Sequence, residues 1–350
     1  MSSGNIVVRM ISAIWRGADG LRKVLHLFLM VFLFLMFFGA LSGDAPQLMP
    51  QRAALFLQPV GALVEQVAGD PYDRALAELT QNSVPQTLVS DIVEALEHAA
   101  DDDRIEIVHL ELSAMGGAGL SKLQRVAAAM ARFQESGKSI VASADFYSQQ
   151  AYYLAAHADE IYMHPEGIVY LKGYGAYRNY YKDAIDLLRI DWNVFRVGTH
   201  KSFVEPYTRM DMSPEDRESR RRLIDQFWKM YEDDVVSARG LPDGAINDYS
   251  QNMVDYVASA NGDISQAALD RGLVDDLLGR AELREVFQGY VGVDKDDDSM
   301  YSAVGMATYL GQMRLLGGDR LESENIAVIV AAGDILNGSQ PPGTIGGDST

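Results

Sequence analysis

Hydrophobic residues along this 350-residue chain follow three rhythms. The first is continuous. Val24 to Leu41 (VLHLFLMVFLFLMFFGAL) holds a single polar side chain, His26. A bilayer core takes roughly 20 apolar residues of helix, so this run just reaches across. The second rhythm is helical. Leu88, Ile92 and Leu96 recur at i, i+4, i+8 in a helix expected from Ser83 to Ala99, with Pro85 at its start. Further helices are expected at Leu120–Ser136, Gln149–Ala158, Tyr177–Leu188 and Ser213–Ala238. The last opens on Ser213-Pro214-Glu215: a capping serine, a proline in the first turn, then acids. Another helix is expected within Tyr301–Leu316.

The third rhythm is short and strand-like. Ala54–Val67 reads as a strand broken at Pro59 and Gly61. Ile105–Leu112 (IEIVHLEL), Ser139–Ala144, Glu160–Met163, the Ile168–Gly175 stretch and the Val194–Val197 run follow. The second half of IEIVHLEL is apolar enough for a strand covered on both faces. Strands and helices alternate with short connections, which predicts an α/β fold with a mostly parallel sheet.

Composition narrows the classes. Hydrophobic residues are 48% of the chain, enough for a large core. There are no cysteines, hence no disulfide and no thiolate metal site. No cofactor motif and no His/Asp/Glu cluster at metal-ligand spacing is present. Asp294–Met300 (DKDDDSM) lacks the glycine and terminal glutamate of a calcium loop and reads as a solvated linker. A net charge of −19 argues against nucleic acid as a partner. Arg9, Arg16, Arg22 and Lys23 precede the apolar run, and Arg52 is the first basic residue after it. The positive-inside rule then sets the N-terminus in the cytoplasm and the body outside the membrane, in the periplasm of a Gram-negative cell. Ala40-Leu41-Ser42 resembles a signal-peptide cleavage site, the alternative to a retained anchor.

Candidate chemistry concentrates in Val194–Arg209 (VFRVGTHKSFVEPYTR). Lys201 stands between the apolar run VFRV and the pair Phe203-Val204. Burial disfavours an ammonium, and a neutral amine can take a proton from a serine hydroxyl, which singles out Lys201 among the lysines. Ser202 follows it directly and, on a strand, faces the other side, which suits a structural or orienting role. The turn Ser113–Gly119 (SAMGGAG) lacks the spacing of phosphate-binding loops.

The pattern R-V-G-T-x-K-S-x-V-E-P resembles the lysine-bearing segment of the signal peptide peptidase A (protease IV) family, membrane-anchored Ser/Lys proteases. SAMGGAG, FYSQQAYYLAAHADEIYMHPEG, MSPEDRE and ALDRGLVDD occur in the family's order. The resemblance implies a Clp-protease/crotonase-like parallel-sheet core with surrounding helices, preceded by one transmembrane helix. It implies Lys201 as the base, a nucleophilic serine from a second homologous domain, hydrophobic peptide substrates, homo-oligomers and no cofactor. Ser148 does not match the nucleophile position, which aligns with Gln149, and reads as a helix cap. Gly116-Gly117 occupies the place of oxyanion donors and is expected to be a relic turn. Asn325–Gly338 (NIAVIVAAGDILNG) resembles Ala53–Gln66 (AALFLQPVGALVEQ) and is expected to open the second domain. The expected organisation is a basic arm (1–23), an anchor (24–43), a peptidase domain (53–290), a linker with a helix (291–324) and the first strand of a further domain (325–350). A non-catalytic anchored scaffold is the alternative.

Overall fold

The computed structural model describes residues 3–41, 49–69, 76–77, 80, 84–198, 200–317, 331, 333–340 and 344–348. The chain divides into two units, Met1–Leu48 and Met49–Thr350. The first unit holds one helix, α1 (Ser3–Leu41). Within it Ile14–Phe38 is long and apolar enough to cross a membrane. The basic arm and the apolar run expected as separate pieces share this helix, and no proline interrupts them.

The second unit is built on strands β1 (Ala53–Leu57), β2 (Ala62–Val64) and β3 (Gln86–Leu88), helix α2 (Val89–Asp101), β4 (Ile105–Glu111), α3 (Leu120–Gln134), β5 (Ser139–Ser148), α4 (Gln149–Ala155) and β6 (Glu160–Tyr170). It continues through α5 (Lys182–Leu187), α6 (Glu205–Thr208), α7 (Pro214–Arg239), α8 (Ala245–Ser259), α9 (Ile264–Asp270), β7 (Asp276–Leu277), α10 (Arg280–Val291), β8 (Ala303–Gly305) and α11 (Met306–Gly317). Six strands form one sheet in the order β7-β6-β5-β4-β1-β8, every pairing parallel. β2 and β3 pair separately, also in parallel. The expected α/β architecture is therefore present.

Alternation along the strands sorts the core onto two faces. Leu55, Val108, Leu110, Ile140 and Ala142 face the side carrying α2, α3 and α4, whose Ile92, Leu96, Leu123, Val126 and Met130 are buried there. Ala54, Ile107 and Val141 face the other side and meet Phe287 and Val291 of α10 together with Tyr301. A parallel sheet needs this double cover, because both of its faces are apolar.

Some boundaries differ from expectation. Pro85 does not open a helix. Its carbonyl accepts from Ala62 N at 3.3 Å, the next three residues pair as β3, and the helix begins at Val89. β5 and β6 run longer than the apolar cores that signalled them, since each has a neighbouring strand to pair with along its length. The capped helix is found as read: Ser213 Oγ accepts from Asp216 N, and Gly240 closes α7 at φ +62°. Near the C-terminus Asp334–Leu336 pairs in parallel with Thr344–Gly346. Half of the run expected as a strand over Asn325–Gly338, residues 325–330 and 332, lies outside the described residues.

Candidate active site

Lys201 lies on an arm that leaves the sheet after Tyr170 and returns at Ser213. Among the described residues this arm carries only α5 and α6 as regular structure. The strand expected at Val194–Val197 is not formed. A strand needs a partner for its backbone groups, and no described strand pairs with it. The helix expected over Tyr177–Leu188 contracts to α5.

The apolar flanks of Lys201 do not bury it. Lys201 is exposed. Phe195 is 99% exposed, Val197 90% and Phe203 81%. The expectation of a dry lysine thus fails for this chain taken alone. Sequence neighbours shield a side chain only where the backbone folds them over it, and here they point outward with it.

The base of the arm is firmly tied. Arg178 donates to the carbonyls of Ser202 and Phe203 at 2.9 and 3.2 Å. Ser202 Oγ donates to Asp216 Oδ1 at 2.7 Å, and Arg220 Nε donates to Asp216 Oδ2 at 2.8 Å. Burial pushes the Asp216 carboxyl upward, but the Arg220 and Ser202 hydrogen bonds outweigh it and hold the group below its ordinary value. Glu205, buried, accepts from Ser213 N at 3.1 Å. Trp192 stacks on Tyr207 at 4.6 Å. The backbone of Lys201 is therefore positioned on both sides, with its carbonyl accepting from Arg196 at 3.3 Å. Tyr180 brings a buried hydroxyl with no partner among the described residues.

The strand-to-helix turns behave as structural parts. Ser148 caps α4, its Oγ accepting from Ala151 N at 3.2 Å. Gln149, which the resemblance sets at the nucleophile position, is buried and accepts from Lys172 N through Oε1 at 3.2 Å. The Gly116 N–H is committed to the Gly61 carbonyl at 2.7 Å. It is not free to hold an oxyanion. Ser202 lies beside Lys201 but gives its proton to Asp216. The described residues bring no serine hydroxyl to Lys201, and none of their His, Asp and Glu groups gathers as a metal site.

Sequence reading missed a second polar group. His109, Ser143 and Tyr301 are hydrogen-bonded together beneath the other sheet face. The signal was a histidine interrupting an apolar strand. Its partners stand 34 and 192 positions away, and strand register brings them together.

The fold is a parallel-sheet α/β core covered by helices on both faces. Residues 132–294 match the model for peptidase family S49. Over that stretch the chain carries a peptidase S49 domain. It is 33% identical over 347 residues to Protease 4 of Salmonella typhi, covering 96% of this chain and 54% of that protein. It is 34% identical over 280 residues to Protease 4 of Haemophilus influenzae, covering 79% and 45%. The chain spans about half the length of these curated relatives. The solved membrane-bound stomatin-specific protease 1510-N, in mutant form, resembles it at a TM-score of 0.36 and 11% identity, covering 73% of this chain and 94% of that one.

Proposed function

We propose that this chain is the anchored, base-supplying part of a serine peptidase with a Ser/Lys dyad, acting on hydrophobic peptides such as signal peptides already cleaved from exported proteins. The S49 domain supports peptide hydrolysis. α1 supports a single-pass anchor in the inner membrane, with the body on the periplasmic side. Lys201 takes the proton of an attacking serine supplied by sequence beyond residue 350, and backbone N–H groups around that serine hold the oxyanion.

One observation carries this reading. The backbone around Lys201 is pinned by Arg178, Ser202 and Asp216, while Phe195, Val197 and Phe203 stand bare. Bare aromatic and aliphatic groups beside a positioned amine mark a face made to be covered. A covering domain, or a neighbouring copy in a homo-oligomer, would supply the nucleophile and dry the amine in one step. The exposure of Lys201 in the chain alone favours a second reading, a non-catalytic anchored scaffold.

An extended protein carrying the further domain separates the two. Cleavage of a hydrophobic peptide should fall by about 10²–10⁴-fold in Lys201→Ala, the range for losing a general base. It should survive Ser148→Ala. Unchanged turnover in Lys201→Ala would establish the scaffold reading instead.

A further inference from the structure

The second sheet face carries a buried relay that the lysine arm does not use. His109 on β4 sits between two hydroxyls. Its Nε2 lies 2.7 Å from Ser143 Oγ on β5, and its Nδ1 lies 2.5 Å from Tyr301 Oη. His109 and Ser143 are each 4% exposed and Tyr301 is 7% exposed. Phe287 stacks on the imidazole at 4.0 Å. Burial pushes the imidazole down to about 3, so the ring is neutral at physiological pH.

A neutral imidazole has one N–H. With the two hydroxyl protons, the relay holds three donors, and its two hydrogen bonds consume two of them. If Nδ1 is protonated it donates to Tyr301, Ser143 donates to Nε2, and the Tyr301 proton is left over. If Nε2 is protonated it donates to Ser143, Tyr301 donates to Nδ1, and the Ser143 proton is left over. In either tautomer one buried hydroxyl lacks an acceptor among the described residues. Buried donors are rarely left unmet, because the loss is not repaid elsewhere.

Ser143, Tyr301 and His109 all line one cavity of about 580 Å³, within the range of small-ligand sites. Phe56, Met163, Leu283 and Met300 give it apolar walls. At the mouth Arg280 and Asp145 neutralise each other at 2.6 Å, and Glu111 and Arg284 add one charge of each sign. A nucleophilic role for Ser143 fails on charge. Attack would leave a proton on His109, and the ring has no carboxylate partner to hold it. Recognition makes no such demand.

We propose that this cavity is a peptide-binding site separate from the lysine arm, which takes a short apolar peptide by one neutral backbone carbonyl, with the relay's spare hydroxyl as donor. An amide carbonyl beside an apolar side chain matches both the donor and the walls. A free carboxylate would find Arg280 already engaged by Asp145, and the positive charge of Arg284 offset by the negative charge of Glu111 in the same lining.

The probe is acetyl-Leu-Leu-amide, ¹³C-labelled at the acetyl and first leucine carbonyls, titrated into the 350-residue chain. The His109 ring nitrogens should shift saturably, and a labelled carbonyl stretch should move to lower frequency. Ala114→Trp, at an exposed position lining the cavity, should weaken binding by at least about tenfold. Lys201→Ala should bind as the wild type does, so the result stands apart from the peptidase reading. The proposal is overturned by any of three results: no saturable shift, equal affinity in Ala114→Trp, or binding only of the free acid acetyl-Leu-Leu.

Discussion

Ser202 gives its hydroxyl proton to Asp216 across 2.7 Å, tying the residue next to Lys201 to the first turn of α7. Asp216 is buried and also receives Arg220. Removing its carboxylate strands the Ser202 hydroxyl and frees the base of the arm. Asp216→Ala should cost about 1–3 kcal/mol, and Ser202→Ala about 1 kcal/mol, in urea unfolding. Amide exchange over residues 200–208 should accelerate in both. Unchanged exchange would show that this contact does not hold the arm.

The buried His109 imidazole makes stability depend on acid. Its ordinary value is about 6.5 and burial lowers it to about 3 in the fold. Between those values the unfolded chain binds the extra proton, so stability is complete above the unfolded value and falls as pH drops below it. At pH 5 the loss should be about 2 kcal/mol relative to neutral pH. His157, also lowered chiefly by burial, acts in the same direction. His109→Gln should flatten the stability profile between about pH 4.5 and 6.5, measured by urea midpoints.

Gly116 is required by space. A Cβ there would lie 2.8 Å from the Gly61 carbonyl carbon, which is backbone and cannot swing aside. Gly61 itself sits at φ +69° and is held by Ala114 O and Gly116 N. Gly116→Ala should lose about 1–3 kcal/mol by strain, and Gly117→Ala, with nothing within 4 Å, should lose less. Paired thermal unfolding of the two variants checks the difference.

Much of the frame was legible before the fold was seen. Ser213-Pro214 marks the α7 start because a cap and a first-turn proline are local signals. Ser148 was legible as a cap for the same reason. Lys201 is singled out by its motif alone, and its surroundings were misread. Phe195 and Val197 signal burial only when something covers them, and nothing among the described residues does. The His109 relay depends on register: Glu111 pairs with Ser143, which brings that hydroxyl diagonally to the histidine two residues earlier. No local pattern encodes that offset.

Phe195 and Val197 separate cover from stability. At 99% and 90% exposure they contribute little to the chain alone, so Phe195→Ala and Val197→Asp should each shift its unfolding free energy by no more than about 0.5 kcal/mol. In an extended, assembled protein the same changes should weaken assembly, read by sedimentation, and lower peptide turnover. Unaltered assembly and turnover would show that this face stays bare.

The amine at position 201 is tested most directly by phosphonylation of the serine it would activate. An extended protein is treated with a fluorophosphonate, which traps only an activated serine, and the labelling rate is compared with that of Lys201→Ala. The account predicts rapid labelling that drops by about 10²–10⁴-fold when the amine is removed. Equal labelling of the two proteins would contradict it.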